Sequence, residues 1–468
     1  MTQLTLPKPA PAAKVVALQP PQPVHGESFD QRVPLASRRG ALTMALLWIT
    51  MVTAFPSVLI GFEWYKKGFT LSQVAICTVI SCLMLLVYSV PAAYLGAKSG
   101  QSYGHLARQV FGCWGSRLVS FNLLWVFVAF YSLSCLLLAD SLKGLFSIPL
   151  PVAAVAAILS VITAFNNFFG FSGVANFARF VAAPLLIVVI AYTFCQAAPT
   201  VTISALTAVP HESFTSALTC ISGFVIGFAV WGNEPDYWRY GKPSKWSATL
   251  PLAVALAVGE VLFPVTGWLV AHLSGVTEYG AATNFINVFA FGGFPIVAAI
   301  VLTASYSACN DANMYGMINA VENFKKLPHR PVCAVLAVLC AVFSAWLSNS
   351  GTSKALESIT SLNCVFLPTV TVIMIVEFFM VRPLLRRRAK FGTSADLSDL
   401  PKAKWAAFAA LFAGCLVGVL TSGVIPGSES MHVGLPSIQA WLTAAAIYIP
   451  LRLVEHRLAN TQLVSIKI

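Results

Sequence analysis

Apolar runs recur along this chain at a length that matches a lipid bilayer. They lie near 41–64, 70–97, 117–141, 148–169, 176–197, 214–233, 247–273, 290–316, 331–348, 359–381, 404–424 and 435–453. A helix needs about 20 residues to cross ~30 Å of hydrocarbon, and these runs reach or approach that length. They are continuously apolar and rich in Leu, Ala and Val, whereas barrel strands would be short and alternating. The pattern predicts an all-α polytopic membrane protein of about twelve transmembrane helices.

Composition agrees: 57% of residues are hydrophobic and 10% charged, against about 25% charged in a soluble domain. Residues 1–40 are polar and Pro-rich with no apolar core, and read as a disordered cytoplasmic tail rather than a cleaved signal. With the N-terminus inside, only Lys66, Lys67, Lys143 and Lys354 of the 29 Lys and Arg fall in outer loops. The densest inner cluster is Arg382, Arg386, Arg387, Arg388, Lys390, Lys402 and Lys404. This asymmetry predicts a multi-pass protein of the inner (plasma) membrane with both termini cytoplasmic. The net charge of +12 then reports topology and contact with an anionic leaflet, not nucleic-acid binding. The 11 Cys show no metal-ligand spacing and read as small buried hydrophobes, so neither metal nor cofactor is expected. No obligate protein partner is evident.

Two runs carry helix-breaking signals at mid-depth. In the first, Thr53-Ala54-Phe55-Pro56-Ser57 places a proline where it removes an amide donor and disfavours helix at Phe55. The sixth contains Gly223, Gly227 and Gly232 and ends at Asn233-Glu234-Pro235-Asp236. If the chain is two inverted five-helix halves, these interrupted helices occupy matching positions, which points to a mid-membrane site in a secondary transporter. The expected organisation is a first repeat over 41–198, a second over 199–385, two further helices over 386–455, and a cytoplasmic tail over 456–468.

Polar residues inside apolar runs are expensive and therefore candidates for function. The eighth run holds the most polar stretch, Ser305-Tyr306-Ser307-Ala308-Cys309-Asn310-Asp311-Ala312-Asn313. On a helix Ser305 and Cys309 share a face, as do Tyr306, Asn310 and Asn313. Glu260 sits mid-way along the seventh run, where an ionised carboxyl pays a large desolvation cost, which makes it a proton-relay candidate. Trp125, Phe127, Phe130 and Tyr131 in the third run, and Phe224, Phe228 and Trp231 in the sixth, offer stacking faces for a planar ligand. Each also reads as ordinary core. Glu234, Asp236 and Arg239 read as local loop-fixing pairs or as part of an inner gate.

Asn233-Glu234-Pro235-Asp236-Tyr237-Trp238-Arg239-Tyr240 resembles the N-x-P-D-[YF]-x-R-[YF] signature of the nucleobase–cation symport family (purine/cytosine permease-like). Gly96-Ala97-Lys98-Ser99-Gly100, with Ala107-Arg108 and Phe111-Gly112, is similar to that family's loop after helix two. Phe168-Phe169-Gly170, Pro184 and Asn310-Asp311 also fit, and the likeness spans about 50 to 455. It implies a LeuT-like five-plus-five inverted repeat with discontinuous helices one and six. It also implies alternating access and uptake of a heterocycle with H⁺ or Na⁺. The family's helix-three stacking position falls on Phe127, with Trp125 two residues away. Its helix-six stacking position falls on Gly227, next to Phe228, and its base-binding amide falls on Ser305. The cation-site break matches at Phe55 and Ser57, but the two sodium-binding hydroxyls fall on Ala308 and Cys309. A methyl and a thiol are poor ligands for a hard cation, which shifts weight towards proton coupling through Glu260 or Asp311.

The resulting expectation is a symporter of a cytosine- or purine-like base in the lipid bilayer. Substrate would be held by Trp125 or Phe127, Phe228, Ser305 and Asn310. The cation would act at Phe55, Ser57, Cys309, Asp311 and Glu260. A transporter of the same architecture for a hydantoin, a vitamin precursor or an amino acid is the alternative. An intramembrane enzyme is a distant one, because neither HExxH nor GxSxG occurs. No repeated selectivity-filter sequence supports a channel.

Overall fold

The computed structural model describes residues 32–53, 55–169, 183–202, 210–276, 278–325, 327–385, 400–425, 427, 431 and 433–465. Most of the expected N-terminal tail, Gly170, and the basic run Arg386, Arg387, Arg388 and Lys390 lie outside the described residues. The first apolar run is broken as its proline predicts. α1 covers Ala41–Val52 and α2 covers Pro56–Lys66. Thr53 between them bonds its hydroxyl back to Ile49 O, and Phe55 N donates to Ser305 Oγ at 3.3 Å. α3 spans Leu71–Ser99, starts on a Thr70–Gln73 capping box and ends on left-handed Gly100. α4 covers Tyr103–Phe146 and α5 covers Val152–Thr163, followed by a 3₁₀ turn over Phe165–Phe169. α6 covers Ala183–Ala197.

The sixth run is also broken. α7 covers Phe214–Ala229, the chain turns extended at Val230 and left-handed at Gly232, and α8 resumes over Glu234–Trp238. α9 spans Lys245–Ser274 and contains a π turn over Ala257–Leu262. α10, Tyr279–Phe291, meets α11, Pro295–Phe324, at a bend of 111°. α12 covers His329–Leu347, α13 covers Thr352–Leu384, α14 covers Trp405–Thr421 and α15 covers Pro436–Ser465.

Among the described residues, six helices are long and apolar enough to cross a membrane alone, or seven with the bent α10–α11 pair. The expected twelve does not follow from helix length. The broken first and sixth runs split into pieces too short to qualify, and α5, α6, α7 and α14 are short apolar helices.

α1 and α2 lie along α9, α7 and α8 lie along α3, and α9 packs on α3 in turn. α4 packs on α11 and α5 on α12. The close crossings rest on glycine, as expected where lipid offers no hydrophobic drive and small residues let backbones approach. A Cβ at Gly267 or Gly61 would collide with backbone across the α2–α9 crossing, and one at Gly259 would lie 2.6 Å from Val52 O.

Candidate functional site

The two motifs that carry the family likeness fold into one unit at the end of the molecule holding α8. A Cβ on Gly96 would lie 2.5 Å from Pro235 Cα, so α3 and α8 touch backbone to backbone. Asp236 Oδ1 accepts from Tyr103 N at 2.7 Å and Oδ2 from Asn233 Nδ2 at 3.2 Å. Glu234 Oε1 accepts from Trp231 N and Gly232 N, and Oε2 from Tyr88 OH at 2.8 Å. Arg239 donates to Tyr240 and Tyr315 hydroxyls, and Tyr237 donates to Ala312 O. The signature thus satisfies the amides that the α7–α8 break sets free, as buried backbone requires in lipid. The break's carbonyls are capped from α13: Asn363 Nδ2 donates to Gly227 O at 2.6 Å and Val230 O at 3.2 Å, and Thr371 donates to Gly232 O.

Beside this break is a small cavity lined by Phe127, Phe130, Phe228, Val230, Trp231, Cys309, Asn313 and Asn363. Its free space is about 10 Å³, room for one water and not for a heterocycle. Aromatic rings fill the rest. Phe127 meets Trp231 edge-on at 5.7 Å, and Phe130 lies 6.4 Å from Phe228. Phe228 in turn stacks on Phe224 at 5.3 Å and 8°. Phe224 lines a much larger cleft, of about 990 Å³, that also reaches Glu63, Trp64, Lys67, Lys354 and Glu357. Trp64 closes edge-on against Phe224 at 5.9 Å. The small cavity is therefore sealed from the cleft by a layer of stacked rings.

Of the residues expected to hold substrate, Phe127 and Phe228 line the cavity. Trp125 does not. Two residues along a helix turn the side chain by about 200°, and Trp125 faces Phe366 of α13 and bonds Asn122 instead. Ser305 turns to the α1–α2 break, where it accepts from Phe55 N. Asn310 points between α4 and α5, with Nδ2 bonded to Cys135 Sγ at 3.1 Å and Thr163 Oγ1 at 3.4 Å. Phe130 and Trp231, offered by the sequence as stacking faces but left out of the final substrate set, line the cavity, as do Asn313 and Asn363, which were not expected to hold substrate. The first three belong to polar or aromatic clusters visible in the sequence. Asn363 is an isolated amide in the tenth apolar run, and that isolation was its signal.

The residues expected to serve the cation separate into three places. Phe55, Ser57 and Glu260 meet at the α1–α2 break. Glu260 sits on the π turn of α9, fully buried, with the buried Ser57 hydroxyl beside its carboxyl and no other hydrogen-bond partner among the described residues. Cys309 lines the small cavity, 3.8 Å from Asn313 Nδ2. Asp311 is held elsewhere, by Asn166 Nδ2 at 2.5 Å and Asn167 Nδ2 at 2.8 Å in the 3₁₀ turn after α5.

Comparison with known proteins identifies the fold and the family. The chain resembles Mhp1, a nucleobase-cation-symport-1 family transporter, in a closed conformation with bromovinylhydantoin bound. That match has a TM-score of 0.71 at 18% identity and covers 92% of this chain and 95% of the other. An outward-open Na⁺-coupled sialic acid symporter matches with a TM-score of 0.64 at 10% identity, covering 91% and 92%. The fold is thus the LeuT-like one the sequence pointed to, with its first and sixth helices broken. Cytosine permease of Escherichia coli strain K12 is 25% identical over 440 residues, covering 90% of this chain and 97% of that protein, and that of strain O157:H7 is 25% identical over 465. Residues 33–435 match the family model described as permease for cytosine/purines, uracil, thiamine, allantoin, and the chain belongs to that family.

Proposed function

We propose that this permease imports a nucleobase, cytosine or purine-like, by symport with a cation and alternating access. The observation that carries the reading is the ring-sealed cavity between the broken α7–α8 helix and α4, under a wide cleft. A planar base entering from the cleft would part Phe224 and Phe228, then settle between Phe127 of α4 and Trp231 or Phe228 by the break. Aromatic faces supply affinity for a flat heterocycle, while Asn313 and Asn363 offer polar atoms to its edge. The cleft opens at the end bearing Lys66, Lys67 and Lys354, the sparse basic set expected outside. That orientation, with both termini cytoplasmic in the inner membrane, makes the structure outward-facing and occluded above the site.

A proton is the favoured coupling ion. The hydroxyl pair expected of a sodium site falls on Ala308 and Cys309, and Ser305 Oγ is taken by Phe55 N. This donor set does not fit a hard cation. Glu260 offers what a proton needs: a carboxyl buried at the helix break with only the Ser57 hydroxyl beside it among the described residues. Such a group must be neutralised at that depth, because an unpaired ionised carboxylate in an apolar interior is prohibitive. A proton taken up from the cleft side and released on the other would bias the α1–α2 break between its two states. Coupling then requires that proton and base favour the same occluded form. Asp311, tied to Asn166 and Asn167, is the second acid to test.

The test is uptake of radiolabelled bases by proteoliposomes under separate H⁺ and Na⁺ gradients. Base accumulation driven by the H⁺ gradient, and lost in Glu260→Gln while counterflow exchange of base persists, supports the reading. Accumulation that follows Na⁺ alone refutes the proton assignment. A competition panel including hydantoins, vitamin precursors and amino acids separates nucleobases from the alternative cargoes, and no base uptake at all would refute the transport reading.

A further inference from the structure

The structure assigns Asn363 a role in reading the substrate: its side-chain carbonyl is the acceptor for a ring N–H or exocyclic amino group of the transported base. This rests on the transport reading above and deepens it. Asn363 is 2% exposed and lines the small cavity. Its Nδ2 donates to Gly227 O and Val230 O, the carbonyls released where α7 ends. Those two partners can only accept, so the amide cannot be turned over without setting oxygen against oxygen. Oδ1 is therefore fixed on the other side, where it has no partner among the described residues.

A buried acceptor without a donor is costly, and native proteins rarely leave one unexplained. The cavity wall does not satisfy it: Trp231 Nε1 is a donor in the same lining, but it too is buried and without a partner among the described residues, so the two do not reach each other. One acceptor and one donor in the same lining match a cyclic amide or amidine, in which a ring N–H sits beside a C=O or a ring nitrogen. The cargo class is then a neutral planar heterocycle with such an edge. Asn363 would also link recognition to movement, because the amide that reads the base caps the helix break with its other atom.

The experiment measures binding to purified full-length protein of cytosine, uracil, adenine and hypoxanthine. For each base that binds, it adds the isosteric carbon analogues in which a single N–H becomes C–H. Intact protein is expected to bind one such analogue at least tenfold more weakly than its parent base. Asn363→Ala should bring that ratio below about threefold by weakening the parent and leaving the analogue nearly unchanged. Thermal unfolding checks that the variant folds, and Asn363→Ser, which keeps a donor for Gly227 O, is the second variant. Parent and analogue weakened equally would mean that Asn363 only holds the helix break, and would overturn the proposal. Intact protein that binds a base but never discriminates any analogue more than threefold overturns it too, whatever the variants do. Intact protein that binds no base overturns the transport reading itself.

Discussion

Phe127 is the proposed stacking surface on α4, and Gly316 of α11 leaves the room its ring occupies. A Cβ at Gly316 would overlap Cε2 and Cδ2 of the Phe127 ring and lie 3.1 Å from Cζ. Carbon contacts are comfortable near 3.5–4.0 Å, so Gly316→Ala forces the ring back by more than about 1 Å. The ring has little room, since it is 2% exposed and Trp231 stands 5.7 Å away. Overpacking of this kind costs about 1–3 kcal/mol, partly offset by the ~1 kcal/mol helix preference of Ala over Gly. Net stability should fall by at most about 2 kcal/mol. The ring would intrude on the cavity, and transferring the same 1–3 kcal/mol to binding weakens the base about 5- to 150-fold. Base affinity measured on purified protein, together with thermal unfolding, reads both. The decisive step is a double-mutant cycle with Phe127→Ala, which removes the atoms that clash. Independent sites add to within about 0.3–0.5 kcal/mol, whereas Gly316→Ala should be nearly silent in the Phe127→Ala background. Full additivity of the two substitutions in base affinity would refute the reasoning.

Three other outcomes follow from the same geometry. Trp125→Leu, outside the cavity, should leave base affinity within about twofold, whereas Trp231→Leu should lower it at least tenfold; radiolabelled binding separates them. Glu234→Ala strands the buried amides of Trp231 and Gly232 at about 1–3 kcal/mol each, while Tyr88→Phe removes one hydrogen bond worth about 1 kcal/mol, so thermal unfolding should rank Glu234→Ala well below Tyr88→Phe. Lys404, just before α14, donates to Gln109 O, and burial, helped by Arg452, pushes its ammonium down to about 8. An unfolded lysine titrates near 10.4, so between pH 8 and 10 the unfolded chain binds more protons and stability rises with pH. Melting temperature scanned from pH 7 to 9.5 should show this rise, and Lys404→Met should flatten it.

How far the site could be read in advance differed from residue to residue. Both helix breaks were legible because proline and glycine act through the backbone, where they stand. Phe127 and Phe228 both line the small cavity, as their aromatic clusters in matching runs led one to expect. Trp125 and Asn310 lie away from it, because an offset of one or two residues on a helix sends a side chain to a different neighbour. Asp311 and Glu260 looked alike as lone acids in apolar runs, yet one is held by two amides and the other by none among the described residues. That difference comes from chain 145 and 144 residues away from Asp311.

The sequence by itself determined the solvent, the helical class, the two interruptions and the family, because each is written in local composition, backbone chemistry or a contiguous motif. It also placed the short signature that ties off the sixth helix, since those groups bond mostly within a few residues or to the neighbouring motif. The tertiary structure decided which polar atoms are spent and which remain free. Asn363 gives its amide nitrogen to a helix 133 residues away and keeps its oxygen, and Ser305 gives its oxygen to an amide 250 residues away. Such pairings depend on helix rotation and crossing, which are fixed by close glycine contacts between distant segments and leave no trace in any one run.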